Sequence, residues 1–121
     1  MNAAAVEDWS PARVKAALDR GEILLVDVRT PQEYLLEHIE GAFLCPMADF
    51  RPELLPRESD KRVVLHCGSG ARSKKAADAC LAERFGQMAH MAGGFGAWKQ
   101  QNLPYIGTDM ATGAPKKMPA D

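Results

Sequence analysis

Short runs of apolar residues recur along the chain, separated by stretches in which apolar residues return every three or four positions. A continuous apolar run is typical of a strand buried in a parallel sheet, whereas the longer spacing is typical of a helix with one buried face. The clearest run extends from Ile23 to Val28. On this basis five segments are predicted as strands: residues 6–9, 23–28, 42–44, 62–66 and 87–91.

Helix start signals precede two of the amphipathic stretches. Ser10 and Thr30 are each followed by proline, which favours an N-cap and a first helical residue, and Glu33 completes a capping box with Thr30. The clearest apolar stripe lies on the helix predicted from Arg72, and Gly86 is its expected C-cap. The stripe consists of Ala76, Ala77, Cys80, Leu81 and Phe85. The predicted helices are residues 11–20, 31–37, 47–55 and 72–85, and a short helix after Gly93-Gly94 holding Phe95 and Trp98.

The alternation of strands and helices predicts an α/β domain with a mostly parallel sheet. In such sheets, ligands bind outside the carboxyl ends of the strands. A polar turn is predicted over residues 57–61, before the central strand. After Tyr105 the periodicity stops, and Gly, Pro, Thr and Lys dominate. We therefore expect one globular domain over residues 1–106 and a poorly ordered tail over residues 107–121.

Composition narrows the class of protein. A chain of 121 residues with 46% apolar and 26% charged residues is sufficient for a single globular domain with its own core. The net charge of -1 gives no electrostatic footprint for nucleic acid or an anionic membrane. No apolar stretch approaches the roughly 18 residues of a membrane helix. Residues 1–10 show no secretory signal, so we expect a cytoplasmic protein.

The three cysteines, Cys45, Cys67 and Cys80, are an odd number, which argues against a disulfide framework. They form no C-x-x-C pair, and no Cys/His set has zinc spacing. No metal and no organic cofactor is therefore implied. In a reducing compartment, a cysteine on a special loop is more often reactive than structural.

The segment from Cys67 to Arg72 is the strongest candidate for chemistry. It follows an apolar strand and precedes a helix, and it contains Gly68, Ser69, Gly70 and Ala71. Successive backbone N–H groups of such a turn point into one concavity, and the helix N-terminus adds partial positive charge. Both features favour the thiolate, which is the nucleophilic form of cysteine. Cys67 is therefore predicted as the catalytic nucleophile, with the residues from Gly68 to Arg72 binding substrate.

Several other residues have two interpretations. Ser69 either donates a hydrogen bond to the sulfur or simply fits the turn. Arg72 either binds an anionic donor or is an exposed side chain in the first helical turn. Cys45 is either packed or a resolving thiol, whereas Cys80 lies on the apolar stripe and is expected in the core. His66 precedes the nucleophile, but adjacent strand residues point to opposite faces, so we expect no Cys–His pair.

Three ordered motifs resemble the signatures of rhodanese-like sulfurtransferases. The first combines Asp27-Val28-Arg29 and Glu33-Tyr34 with the segment from His38 to Ala42; the second is the loop from Cys67 to Ser73; the third is Gly93-Gly94 followed by Trp98. The resemblance covers roughly residues 6–105. It implies a five-stranded parallel sheet flanked by helices on both faces, in one domain. Glu37 and Cys45 depart from the usual pattern, and neither belongs to the catalytic loop.

The resemblance also implies a reaction. Family members move a sulfane sulfur from a donor to an acceptor through a persulfide on the loop cysteine. The expected donors are thiosulfate, slightly favoured, or mercaptopyruvate, and the expected acceptors are cyanide, a thiol or a sulfur-accepting protein. It further suggests that Asp27 and Arg29 organise loops, Arg29 by pairing with Glu33. Apart from the resemblance, His38 is expected to be a structural hydrogen-bonding residue.

Two alternative functions follow from the same fold. One is a non-catalytic binding or sulfur-relay module. The other is a phosphatase or arsenate reductase. Those enzymes have five residues between the loop Cys and Arg, whereas four lie between Cys67 and Arg72 here. A smaller ring suits one terminal sulfur better than a tetrahedral oxyanion, so the loop length favours sulfur transfer.

Overall fold

A five-stranded parallel sheet forms the centre of the computed structural model, which describes residues 6–55, 61–83 and 87–119. The strand order is β1-β5-β4-β2-β3, and every neighbouring pair is parallel. This arrangement confirms the predicted α/β class and the five-stranded sheet. The strands are β1 (Val6–Trp9), β2 (Ile23–Asp27), β3 (Phe43–Leu44), β4 (Arg62–His66) and β5 (Met88–Met91).

The helices begin at the predicted start signals. The Ser10 side chain accepts a hydrogen bond from the Arg13 N–H, and Thr30 and Glu33 form the predicted capping box. Before the third helix, Gly70 has φ of +106°, a conformation that favours glycine. Phe85 and Gly86, the predicted end of that helix, lie outside the described residues. The helices are α1 (Pro11–Asp19), α2 (Pro31–Leu36), α3 (Ala71–Ala82) and α4 (Gly94–Gln100).

Alternate residues of the strands supply two core clusters, one on each face of the sheet. In β2, for example, Leu25 belongs to the cluster that includes Trp98 of α4, whereas Val26 belongs to the one that includes Cys80 of α3. Helices α1 and α4 cover the first face, and α3 covers the second. Since both faces are covered, β2 is apolar from Ile23 to Val26 and β4 from Val63 to Leu65, as the sequence predicted.

The helix predicted over residues 47–55 is wrong. The structure has two short 3₁₀ helices instead, Met47–Asp49 and Pro52–Leu54. Proline lacks the N–H needed to continue a helix and forces the preceding residue into an extended conformation. Arg51, with φ of -138° and ψ of 131°, is in that conformation. The predicted polar turn over residues 57–61 lies outside the described residues, apart from Lys61.

The segment expected to be a poorly ordered tail contains a β-hairpin, so this expectation is corrected. Strands β6 (Tyr105–Thr108) and β7 (Pro115–Met118) pair antiparallel. The backbones of His38 and Ile106 exchange two hydrogen bonds of 2.8 and 2.9 Å, which attach β6 to the loop after α2. The strand pairing satisfies the backbone groups without the apolar periodicity on which the sequence prediction depended.

Across the parts of the chain that the structure describes, no helix has the length and apolar character required to cross a membrane.

Candidate active site

The loop between β4 and α3 places Cys67 at the carboxyl end of a central strand. Its side chain is fully buried. The Gly70 N–H donates a hydrogen bond to Sγ at 3.0 Å, and the Ser73 N–H donates another at 3.4 Å. The Ser73 hydroxyl lies 3.6 Å from the same sulfur. These donors converge on one atom, as the glycine-rich turn predicted.

The surroundings of the Cys67 sulfur lower its pKa. Burial alone would raise the pKa, because it disfavours the thiolate. Hydrogen bonds from the Ser73 N–H and hydroxyl, and from the N–H groups of Gly70 and Ser69, outweigh burial and stabilise the negative sulfur. The site thus favours a nucleophilic thiolate.

Backbone N–H groups at the start of α4 donate hydrogen bonds to the loop. The Phe95 N–H donates to the Cys67 carbonyl at 2.8 Å, and the Gly96 N–H donates to the Gly68 carbonyl at 3.0 Å. Gly94 has φ of +60°, and a Cβ at this position would lie 2.5 Å from the Cys67 carbonyl oxygen. The second glycine of the Gly93-Gly94 motif is therefore required because the two backbones touch.

Arg72 is anchored by Glu33 of α2. The guanidinium donates to both carboxylate oxygens of Glu33, at 2.8 and 3.1 Å. This pairing lowers the pKa of Glu33 to about 2. The Arg72 side chain is 40% exposed and lies beside Gly68. Glu33 thus holds a positive charge at the rim of the loop.

The expected pairing of Arg29 with Glu33 is wrong. Arg29 instead donates to both carboxylate oxygens of Asp27, at distances from 2.8 to 3.0 Å, and to the Glu37 carbonyl. The Asp27 side chain is fully buried, and that of Arg29 is 5% exposed. A buried carboxylate needs a positively charged partner, and Arg29, two residues away, supplies it to Asp27. Glu33 pairs with Arg72 instead.

His66 packs behind the loop and does not bond to the Cys67 sulfur. Its Nδ1 lies 3.4 Å from the Cys67 carbonyl oxygen, and its Nε2 lies 3.6 Å from an Asp27 carboxylate oxygen. Within the described ranges, Nε2 has no hydrogen-bond partner. Burial lowers the pKa of His66, so its ring is neutral.

A cleft of about 280 Å³ opens next to Gly68. Lys99 on its wall pairs with Glu37 at 2.8 Å and lies 4.9 Å from the centre of the Phe95 ring. The lining therefore combines charged groups with an aromatic surface. Its residues are Arg29, Glu33, Leu36, Glu37, Gly68, Phe95, Gly96 and Lys99.

The remaining candidate residues of the sequence analysis differ in burial and in their contacts. Ser69 contributes its N–H to the sulfur, and its side chain is exposed. Ala71 is the first residue of α3. Cys80 is buried in the core, as predicted, and the Nδ1–H of His38 donates one structural hydrogen bond to the Tyr34 carbonyl at 2.9 Å. Cys45 is half-buried, and burial raises the pKa of its thiol.

The structure adds three residues that the sequence did not single out for chemistry: Ser73, His90 and Asp8. Ser73 and Asp8 bond to the two ring nitrogens of His90, a residue of β5. Spacing along the chain gives no signal for these contacts, because it does not encode which strands are neighbours. In residues 6–55, 61–83 and 87–119, no group of three or more acidic, Cys or His side chains is arranged to hold a metal ion.

A family model described as the rhodanese-like domain matches residues 10–101 of the chain. The chain belongs to the rhodanese-like domain family. This membership confirms the resemblance carried by the three motifs and accounts for the cysteine loop at the end of β4.

Curated relatives agree with this assignment. The chain is 36% identical over 90 residues to a protein named sulfurtransferase from Allochromatium vinosum, covering 73% of this chain and 82% of the relative. It is 34% identical over 102 residues to an uncharacterized protein of Synechocystis, covering 84% of this chain but only 57% of that protein. Some relatives are thus considerably longer than this chain.

Solved structures show the same fold. The rhodanese-like domain of the Alr3790 protein from Anabaena, determined by solution NMR, superposes with a TM-score of 0.74 at 20% identity. The superposition covers 97% of this chain and 87% of that one.

Proposed function

We propose that the protein is a sulfurtransferase that moves a sulfane sulfur from a donor such as thiosulfate to cyanide or a thiol, through a persulfide on Cys67. The observation that carries the proposal is the convergence of the Gly70 and Ser73 N–H groups on the Cys67 sulfur, at 3.0 and 3.4 Å. Donors arranged in this way stabilise a thiolate before the reaction and an anionic persulfide after it.

The proposed reaction has two displacement steps. The Cys67 thiolate attacks the outer sulfur of thiosulfate, a new S–S bond forms, and sulfite leaves with the electron pair of the broken S–S bond. Cyanide or a thiolate then attacks the outer sulfur of the persulfide, and the Cys67 thiolate is regenerated. Total charge is conserved in each step, and sulfite is a stable anion, so no residue has to protonate the leaving group.

Arg72 and the adjacent cleft support an anionic donor. The Glu33 pair keeps the Arg72 guanidinium next to Gly68, and Lys99 lies on the cleft wall. Both cations are already paired with carboxylates, so these pairs carry no net charge, and an anionic donor would be held by direct hydrogen bonds from Arg72 and Lys99 rather than by a net positive field. We therefore propose thiosulfate as the donor and mercaptopyruvate as the alternative. A sulfur-accepting protein remains part of the proposal, as does a cytoplasmic location.

Oxyanion chemistry is the weaker candidate. The N–H groups of Gly70 and Ser73 point at the cysteine sulfur itself, and the loop has one residue fewer than the phosphatase and arsenate reductase loops of this fold. A tetrahedral anion needs donors outside the sulfur, at the distance of its oxygens. We propose sulfur transfer over phosphoryl transfer for this reason.

Thiocyanate formation from thiosulfate and cyanide tests the proposal. We expect Cys67→Ser to lower the rate below roughly one-thousandth of wild type, because a hydroxyl cannot replace the thiolate. The matched control is Cys45→Ser, which we expect to keep the wild-type rate. A folded Cys67→Ser protein that retains the wild-type rate, or a wild type that transfers sulfur from neither thiosulfate nor mercaptopyruvate, contradicts the proposal.

A further inference from the structure

A continuous row of polar side chains leads from the Cys67 sulfur to the protein surface. The Ser73 hydroxyl lies 3.6 Å from Sγ and 2.9 Å from Nδ1 of His90. The other ring nitrogen of His90, Nε2, lies 2.8 Å from a carboxylate oxygen of Asp8. The row joins residues from α3, β5 and β1, and Asp8 is the register partner of His90 across the two strands.

The carboxylate of Asp8 fixes the direction of these hydrogen bonds. An ionised carboxylate only accepts, so Nε2 of His90 must carry a proton and donate it. In the neutral ring, Nδ1 is then an acceptor, and the Ser73 hydroxyl donates to it. The Ser73 oxygen is thereby free to accept from the Cys67 thiol. The Gly70 carbonyl is a second acceptor for the same hydroxyl, at a longer 3.2 Å.

Exposure changes steeply along the row. The side chains of Cys67 and Ser73 are fully buried, that of His90 is 7% exposed, and that of Asp8 is 70% exposed. None of these residues lines the cleft beside Gly68. The row therefore connects a buried thiol to water by a route separate from the proposed entrance for the sulfur donor.

We propose that Ser73, His90 and Asp8 form a proton relay that ionises Cys67. The thiol proton moves to the Ser73 oxygen as the hydroxyl proton of Ser73 moves to Nδ1 of His90. The S–H bond breaks, a new N–H bond forms, and Ser73 ends as a hydroxyl that donates to the thiolate. The products are a thiolate and an imidazolium paired with Asp8, so the total charge of the row is unchanged. The use of that thiolate rests on the proposed sulfur transfer.

Few other groups compete for the His90 ring. From β1 it faces Asp8, from the loop and α3 it faces Gly70 and Ser73, and its register partner in β4 is the apolar Leu65. Among the contacts of the described residues, Asp8 is the one carboxylate bonded to the ring. In the relay, Asp8 and His90 are positioning residues that act on the reacting sulfur through Ser73.

The rate of Cys67 alkylation by iodoacetamide across pH tests the relay without requiring sulfur transfer. Mass spectrometry of the Cys67 peptide separates it from Cys45 and Cys80. We expect His90→Asn to lower the rate near pH 7 by roughly tenfold, the equivalent of about one pKa unit, and Asp8→Asn to lower it by about threefold. Above about pH 10, where the thiol ionises in every variant, the rates should converge. Asp78→Asn, on the exposed face of α3, is the control.

A double-mutant comparison separates the relay from a general disturbance of the loop. We expect Ser73→Ala to slow alkylation near pH 7, and His90→Asn to add less than about twofold on that background, because the connection is already broken. If both His90→Asn and Asp8→Asn show the wild-type dependence of the alkylation rate on pH, the relay is overturned. So does a His90→Asn protein that is slower by the same factor at every pH. Persulfide formation from thiosulfate is measured in parallel. If the alkylation rates shift as expected but no persulfide forms, the proposed sulfur transfer is wrong and the relay is not.

Discussion

Two buried histidines lie near the carboxyl ends of neighbouring strands, and their surroundings differ. Both ring nitrogens of His90 have a polar partner, and its row of contacts reaches water at Asp8. His66 is fully enclosed beside the Asp27–Arg29 ion pair, and Nε2 has no hydrogen-bond partner among the described residues. A histidine with a path to solvent can exchange protons, whereas an enclosed one stays neutral and serves the structure.

The same contrast applies to the two aspartates. Asp27 is fully buried and neutralises Arg29, whereas the Asp8 side chain is 70% exposed. Asp27 therefore acts through the stability of the fold, and Asp8 through the proposed relay. The comparison leads to predictions in which similar substitutions have effects of different size and kind.

The largest expected effect follows from replacing each aspartate by asparagine. Asp27→Asn leaves the Arg29 charge buried without a counter-ion, and we expect the free energy of unfolding to fall by about 3–5 kcal/mol. Asp8→Asn removes an exposed charge, and we expect a change of about 0–1 kcal/mol. Urea denaturation of both variants measures the difference. Equal losses of stability would show that the burial contrast has no energetic consequence.

An intermediate effect is expected in the pH dependence of stability. Burial lowers the pKa of His66 below its ordinary value of 6.5, so the unfolded chain takes up a proton that the folded protein excludes. The contribution of His66 to the free energy of unfolding is therefore fully present above about pH 6.5. It falls as the pH is lowered, with a slope approaching about 1.4 kcal/mol per pH unit. We expect His66→Gln to flatten this slope in urea denaturation between pH 7 and 5. If the free energy of unfolding of the variant depends on pH as in the wild type, other groups cause the acid sensitivity.

The smallest effect is expected at the rim of the loop, where Glu33 holds Arg72. The pKa of Glu33 is about 2, because of the Arg72 bond, so the pair stabilises the fold above about pH 4.5 and loses its effect as the pH falls toward 2. Since both side chains are more than one-third exposed, we expect Glu33→Gln to cost at most about 1 kcal/mol at pH 7. We also expect a higher KM for thiosulfate with little change in kcat. A selective loss of kcat would place Arg72 in the chemical step instead.

Much of the fold was predictable from local patterns. The strands, the capping box at Thr30 and Glu33, and the glycine-rich loop after β4 each depend on residues close together in the sequence. The two errors have different physical causes. Pro52 divides the expected helix over residues 47–55, and the β6–β7 hairpin depends on backbone pairing in a segment without apolar periodicity.

The candidate site was only partly predictable for a related reason. Cys67 and its loop follow from six consecutive residues, but the Arg72–Glu33 pair spans 39 positions and the His90–Asp8 pair spans 82. Parallel strand order brings such residues together, and the order β1-β5-β4 is not encoded by spacing. The sequence therefore indicated the nucleophile and its loop, but not the contacts that join the loop to Glu33, His90 and Asp8.

The most direct test of the central claim is the intact mass of the protein after incubation with thiosulfate. We predict that the wild type gains one sulfur atom, about 32 Da, that cyanide removes the added mass, and that Cys67→Ser gains none. A wild type that stays at its original mass with both thiosulfate and mercaptopyruvate, or a Cys67→Ser protein that gains the same cyanide-sensitive sulfur, would contradict a persulfide mechanism at Cys67.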